Sequence, residues 1–185
     1  MQREVIFAGF GGQGILSAGK ILAHAAMEEG YEVAWVPSYG PEMRGGTAYC
    51  MVVISDRPIG SPIIKNPLHL VAMNRPSLER FATQVKPGGV ILINSSLIPI
   101  RTNRSDVVEL VVPATDIANE LGSVRSANIV ALSAFVEKSR IVGFEKLRHC
   151  VEEEFREKKN VLLLNLKAVE RGKQAAQSTD ETIDS

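Results

Sequence analysis

Phe7-Ala8-Gly9-Phe10-Gly11-Gly12-Gln13-Gly14 joins a short apolar run, Glu4 to Ala8, to an amphipathic pattern that begins at Ile15. A strand that turns through glycines into a helix places backbone N–H groups at the carboxyl edge of an α/β sheet. Those groups, with a helix dipole equivalent to ~+0.5 charge at the N-terminus, favour a phosphate or carboxylate. Gly9, Gly11 and Gly14 also satisfy the dinucleotide spacing G-x-G-x-x-G. That reading requires an acid at the end of the second strand to hold a ribose hydroxyl. Trp35-Val36-Pro37-Ser38 carries none. Gly11, Gly12, Gln13 and Gly14 therefore form a donor-rich turn open to a nucleotide, to another anion or carbonyl, or to a protein contact.

Outward from the turn, Ile15, Ala18, Gly19, Leu22, Ala25 and Ala26 make one helical stripe, small enough for close approach to a sheet. Gly30 ends this helix, and Glu32 to Val36 reads as a second strand that completes a βαβ unit. Two prolines and three glycines break regular structure between Pro37 and Gly46, and Thr47 to Ser55 is again a strand. No helical crossover fits between Val36 and Thr47, so the sheet is expected to be mixed, with Thr47–Ser55 antiparallel to a neighbour.

Further strands are expected at Leu68–Met73, Val90–Ile93 and Val107–Val112, with helices over Pro76–Gln84 and Asp116–Leu121. Ala127 to Lys138 is apolar on nearly every side and reads as a buried or interface helix, with Asn128 as its hydrogen-bonded amide. Phe144, Leu147, Val151 and Phe155 form another stripe, and Asn160 is placed to cap a last helix through Arg171. Gln174 to Ser185 is polar, lacks aromatics and reads as a disordered tail. The expectation is an α/β, Rossmann-like three-layer fold with a mixed, mostly parallel sheet. It forms a single domain over residues 1–172, with 173–185 as the tail.

Lys+Arg and Asp+Glu each total 21, so no global basic field invites nucleic acid or an anionic membrane. No apolar run approaches the ~20 residues of a membrane span. The chain enters a strand almost at Met1, which leaves no room for a signal peptide and predicts a cytoplasmic protein. The two cysteines, Cys50 and Cys150, fall short of the roughly four thiolates an iron–sulfur cluster needs. His24, His69 and His149 show no metal-type spacing to them, and none has a nucleophile or acid in motif context. No catalytic residue, metal ligand or tightly bound cofactor is assigned to this chain.

Two further segments offer polar groups at the same edge. In the first, Ser38, Tyr39, Glu42, Arg44, Gly45 and Gly46 combine an aromatic, a charge pair and glycines that let a partner's backbone approach. Its alternatives are a binding or subunit-contact loop and a plain connection. In the second, Asn94 and Ser95, followed by Ser96, end a strand, either as donors or as an Asx turn and helix cap.

With these residues laid out, the chain resembles the gamma subunit of 2-oxoacid:ferredoxin or flavodoxin oxidoreductases, over about Glu4 to Val142. The motifs, in order, are Gly9–Gly14, Pro37–Thr47, Ile59-Gly60-Ser61-Pro62, Ala72-Met73-Asn74, Pro87-Gly88-Gly89, Asn94-Ser95-Ser96 and Pro113-Ala114 to Ala118. Their wording is closest to the 2-oxoglutarate type, although Tyr49 and Ser123 stand where relatives tend to carry Asn.

The resemblance implies CoA-dependent oxidative decarboxylation of a 2-oxoacid, with electrons passed to ferredoxin or flavodoxin. It places thiamine diphosphate, magnesium and iron–sulfur clusters in alpha, beta or delta partner subunits. The isolated chain is then expected to be inactive. The hypothesis added to the resemblance is that the chain docks on the alpha subunit and that its carboxyl edge helps hold coenzyme A or close the site, with Gly11–Gly14 offering N–H groups to phosphate and Arg44 a cationic contact. Self-association is expected where a surface meant for alpha is left bare. The competing readings are a free-standing NAD- or FAD-binding oxidoreductase and a purely structural interaction module.

Overall fold

A computed structural model describes residues 1–39 and 47–181 of the chain. Strand β1 (Gln2–Phe10) is buried at every position from Glu4 to Gly9, as a strand covered on both faces must be. Helix α1 (Ile15–Glu28) follows the glycine turn. It closes as the sequence predicts: Gly30 adopts φ 85°, while Tyr31 N–H reaches Ala26 O at 3.1 Å and Gly30 N–H reaches Met27 O at 3.0 Å. That pair of bonds is a Schellman motif.

Strands β2 (Glu32–Tyr39), β3 (Thr47–Ser55), β4 (His69–Ala72), β5 (Val90–Asn94) and β6 (Val108–Val112) complete a sheet of order β2-β3-β1-β4-β5-β6. The β1–β4–β5–β6 neighbours pair in parallel. β3 is antiparallel to both β1 and β2. The mixed sheet is as expected, but the simple βαβ unit is not. β1 and β2 run the same way with β3 lodged between them, because the short β2–β3 connection makes antiparallel pairing the only reachable partner.

The helices divide unequally between the two faces. Together with α1, helices α3 (Ala114–Glu120), α4 (Ala127–Ser139), α5 (Phe144–Phe155) and α6 (Lys159–Glu181) cover the face that carries Val5, Phe7, Val52, Val71, Leu92 and Leu110. Phe7 meets Phe135 of α4 edge-on, with centroids 6.1 Å apart. The other face buries Ile6, Ala8, Leu70, Ile91 and Ile93 beneath α2 (Arg75–Phe81), a 3-10 turn and the irregular chain 95–107. Arg104 ties that chain down by donating to Ala82 O and Val85 O, both at 2.8 Å.

The C-terminal expectation needs correction. α6 begins at Lys159, so Asn160 lies inside it rather than capping it, and the helix continues to Glu181 instead of giving way to a tail at Gln174. Small residues explain both the miss and the packing. A Cβ on Gly172 would stand 1.9 Å from Ser133 Oγ and 2.3 Å from Val130 O, so α6 presses directly on α4. Ala176, one turn on, is 1 % exposed. A stripe of Gly and Ala carries little hydrophobic signal yet permits this approach.

Candidate functional site

Neighbouring parallel strands β1 and β4 send their chains to opposite faces of the sheet, β1 into α1 and β4 into α2. Where outgoing connections part in this way, open α/β sheets leave a crevice at the carboxyl edge. Gly11–Gly14 forms one lip of it and Met73-Asn74 the other. Both ends of the 40–46 segment also reach this edge, since Tyr39 ends β2 and Thr47 pairs with Phe10. At ~4.8 Å per strand, Ser38 stands about 10 Å from the glycine turn on one side and Asn94 about 10 Å on the other. Glu42, Arg44, Gly45 and Gly46 lie outside the described residues.

The glycine turn is held from three directions. Gln13 N–H donates to Phe10 O at 3.1 Å, and Gln13 Oε1 accepts from Phe10 N–H at 2.6 Å. Gln13 Nε2 reaches across the crevice to Met73 O at a long 3.5 Å. Gly14 takes the left-handed conformation, φ 71°, and its carbonyl accepts from Asn128 Nδ2 at 3.0 Å. A Cβ there would lie 2.4 Å from that nitrogen, so the position demands glycine twice over. Asn128 is thus the hydrogen-bonded amide the sequence suggests, and it clamps α4 to the start of α1. Among the described residues no side chain caps α1. Its first-turn N–H groups therefore remain available to an anion or carbonyl in the crevice. No described residue comes within 4 Å of a Cβ built on Gly12.

Asn94 and Ser95 turn out to build the edge. Asn94 is 0 % exposed, and its Nδ2 donates to Met73 O at 3.3 Å and Thr115 Oγ1 at 3.0 Å. Its Oδ1 accepts from Thr115 N–H at 3.4 Å. Ser95 N–H donates to Val112 O at 2.9 Å, and Ser96 Oγ accepts from Asp116 N–H at 3.0 Å in the first turn of α3. The turn-and-cap alternative accounts for these residues, and Met73 O becomes a shared acceptor linking the ends of β1, β4 and β5.

Three features escaped the sequence reading. Asn74, 1 % exposed, caps α2 by accepting from Ser77 N–H at 2.9 Å, while its buried Nδ2 has no partner among the described residues. Asn followed two residues later by Pro76 is a recognisable helix start, so that part was findable. An apolar rim of Phe10 (38 % exposed), Leu97 (44 %) and Val124 (54 %) also surrounds the edge, with Arg125 beside it. These residues sit at strand ends and in turns, where periodicity says nothing. The last is the interposed β3, which separates the ends of β1 and β2 by two strand widths. The end of β2, where a ribose-binding acid would stand, is thereby moved one strand further from the glycine turn, and it carries Ser38 and Tyr39 with no acid.

The thiols and the buried histidine lie elsewhere. Burial pushes the Cys50 thiol up to about 12 and, helped by Glu28, that of Cys150 up to about 11. Both are protonated and unreactive. His69, near the amino end of the parallel strands, is held at about 4, first by burial and then by Arg3, with Glu4 opposing. Its Nδ1 accepts from Val90 N–H at 2.9 Å, which is a structural duty. Among the described residues no three metal-ligating side chains cluster, and no helix is long and apolar enough to cross a membrane.

Residues 4–175 match the family described as pyruvate ferredoxin/flavodoxin oxidoreductase. The chain is 41% identical over 180 residues to the ketoisovalerate oxidoreductase subunit VorA of Methanothermobacter thermautotrophicus, covering 96% of this chain but 37% of VorA. It thus spans little more than a third of that relative. The keto/oxoacid ferredoxin oxidoreductase gamma subunit of Geobacter sulfurreducens superposes with a TM-score of 0.85 at 31% identity, over 96% of this chain and 98% of that one. The 2-oxoglutarate:ferredoxin oxidoreductase of Magnetococcus marinus, solved with 2-oxoglutarate, coenzyme A and succinyl-CoA bound, gives a TM-score of 0.86 at 27% identity, over 96% of this chain and 31% of that one.

Proposed function

The chain belongs to the pyruvate ferredoxin/flavodoxin oxidoreductase family, and from that premise we propose that it works as the gamma subunit of a 2-oxoacid:ferredoxin or flavodoxin oxidoreductase. The complex would convert a 2-oxoacid and coenzyme A into an acyl-CoA and carbon dioxide, passing the electrons to ferredoxin or flavodoxin. The observation that carries this reading is the family match across residues 4–175, with the Geobacter gamma subunit aligned over nearly the full length of both chains. The edge supports a non-catalytic part in it. Its described side chains are mostly amides and hydroxyls already bonded to one another, and what remains free is backbone N–H, open space at Gly12 and an apolar rim.

Thiamine diphosphate, magnesium and iron–sulfur clusters belong, on this reading, to alpha, beta or delta partners. Two buried, protonated cysteines fit that division, and they fit a reducing cytoplasmic location. Coenzyme A suits the carboxyl edge, because the uncapped first turn of α1 supplies N–H donors for a phosphate. Arg44 is the cation assigned to the same ligand. Gln13 and Asn94 would hold the edge in shape without touching it. The relatives divide over the acid. VorA carries ketoisovalerate in its name and the Magnetococcus enzyme 2-oxoglutarate. The motif wording favours 2-oxoglutarate, and kcat/KM for the two acids decides between them.

Co-expression with thiamine-binding partners is the principal test. The complex should turn over a 2-oxoacid with coenzyme A, while the purified chain alone should not. Turnover by the isolated chain would end the proposal. Within the complex, Arg44→Ala should raise the KM for coenzyme A several-fold with kcat little changed, and an unchanged KM removes Arg44 from the account.

A further inference from the structure

The strand pair β2–β3 is the least covered part of the sheet. On the helix side, Val33 and Trp35 join the larger core. On the opposite side, Tyr49 and Met51 only flank the smaller core, and Ala34 and Val36 belong to neither. All four are half-buried, and register places them together: Ala34 beside Val53, Val36 beside Met51, Ser38 beside Tyr49. The helix that packs extensively on both strands is α1, and it lies on the other face. At the rim stands the exposed Arg80 of α2. Its guanidinium lies over the rings of Tyr49 at 5.1 Å and Phe81 at 4.8 Å, and no carboxylate pairs with it among the described residues.

We propose that Ala34, Val36, Met51 and Tyr49, rimmed by Arg80, form the docking face for the catalytic partner subunit. That partner would present an apolar surface to the strands and a carboxylate to Arg80. The assignment rests on the gamma-subunit reading and deepens it. Charge chemistry selects the occupant: a guanidinium stacked on aromatic rings and without a carboxylate partner among the described residues is ready for bidentate pairing as water leaves. Position agrees, because the face runs into the carboxyl edge at Ser38 and Thr47, where the partner's reactive groups must arrive. Pro37 supplies no N–H to the outer edge of β2, so the partner packs on the face instead of adding a strand.

The test uses the full chain co-expressed with its thiamine-binding partner, with affinity measured by titration and the melting point of each isolated variant recorded. Val36→Glu, Met51→Glu and the surface change Arg80→Glu should each weaken association at least tenfold, with Arg80→Lys intermediate. Leu163→Glu, on the outer side of α6 at 52 % exposure, should leave it unchanged. Should all three acidic variants bind like wild type, the docking face is refuted while the gamma-subunit reading stands. Should they abolish self-association but spare the complex, the face joins copies of the chain and the proposal fails. A wild-type chain that forms no complex overturns both.

Discussion

The helix-rich face of the sheet buries Phe7, Leu22, Phe135 and Leu147 beneath four long helices, whereas the opposite face buries Ile6, Leu70, Ile91 and Ile93 under one seven-residue helix and the irregular chain 95–107. Folding energy is therefore concentrated on one side, since burial of apolar area is its main source. The thin side leaves β2–β3 half-covered, and the crevice opens where the two coverings part company. A chain built this way can hold its shape alone and, on the docking proposal, still offer a face to a partner.

The sharpest way to break this contrast is to hollow each side. Phe135→Ala, in the deep core at 0 % exposure, should cost about 3–5 kcal/mol in urea unfolding. Met51→Ala, on the thin side, should cost about 1 kcal/mol or less in the isolated chain. Equal losses would mean that the two faces contribute alike.

Next in size is a pH effect from His69, which lies edge-on to Phe135 at 5.4 Å on the deep side. Its folded pKa of about 4 lies below the ordinary 6.5, so unfolding takes up a proton between those values. Stability is complete above pH ~6.5, falls by roughly 3 kcal/mol on the way to pH ~4, and then levels off for this group. His69→Gln should flatten that part of a stability–pH curve. A slope left intact would assign the effect to other groups.

Gly14→Ala should cost about 1–3 kcal/mol through its positive φ and its collision with Asn128. In an Asn128→Ala background the same change should cost less, because the collision is gone. Strict additivity in that double-mutant cycle would show that the α4 clamp is not what fixes the turn. The smallest effect has the opposite sign. Arg140 ends α4 at φ 50°, so Arg140→Gly should stabilise by about 0.5–1 kcal/mol, visible as a small rise in melting point.

What the residues disclosed depended on whether the physics was local. Gly9–Gly14 announced the strand–turn–helix, Gly30 its end, and the missing crossover after Val36 the mixed sheet. Each rests on neighbours in sequence. The insertion of β3 between β1 and β2 is a pairing choice over distance, and no pattern within either strand states it. α6 beyond Arg171 was hidden because Gly172, Ala175 and Ala176 pack by smallness. At the site, the edge itself was legible, but the engagement of Asn94 by Met73 and Thr115 depends on three elements meeting.

The lodging of β3 carries a consequence for how the chain assembles. β3 matches β2 through a short connection but meets β1 only across the length of α1 and β2, from Phe10–Thr47 out to Gln2–Ser55. The hairpin can zip within microseconds, whereas docking onto β1 must wait for the longer closure. Had β1 and β2 met first as parallel neighbours, they would have to part again to admit the newcomer. Such a detour would be a kinetic trap, and a hairpin that zips early would steer the nascent chain around it.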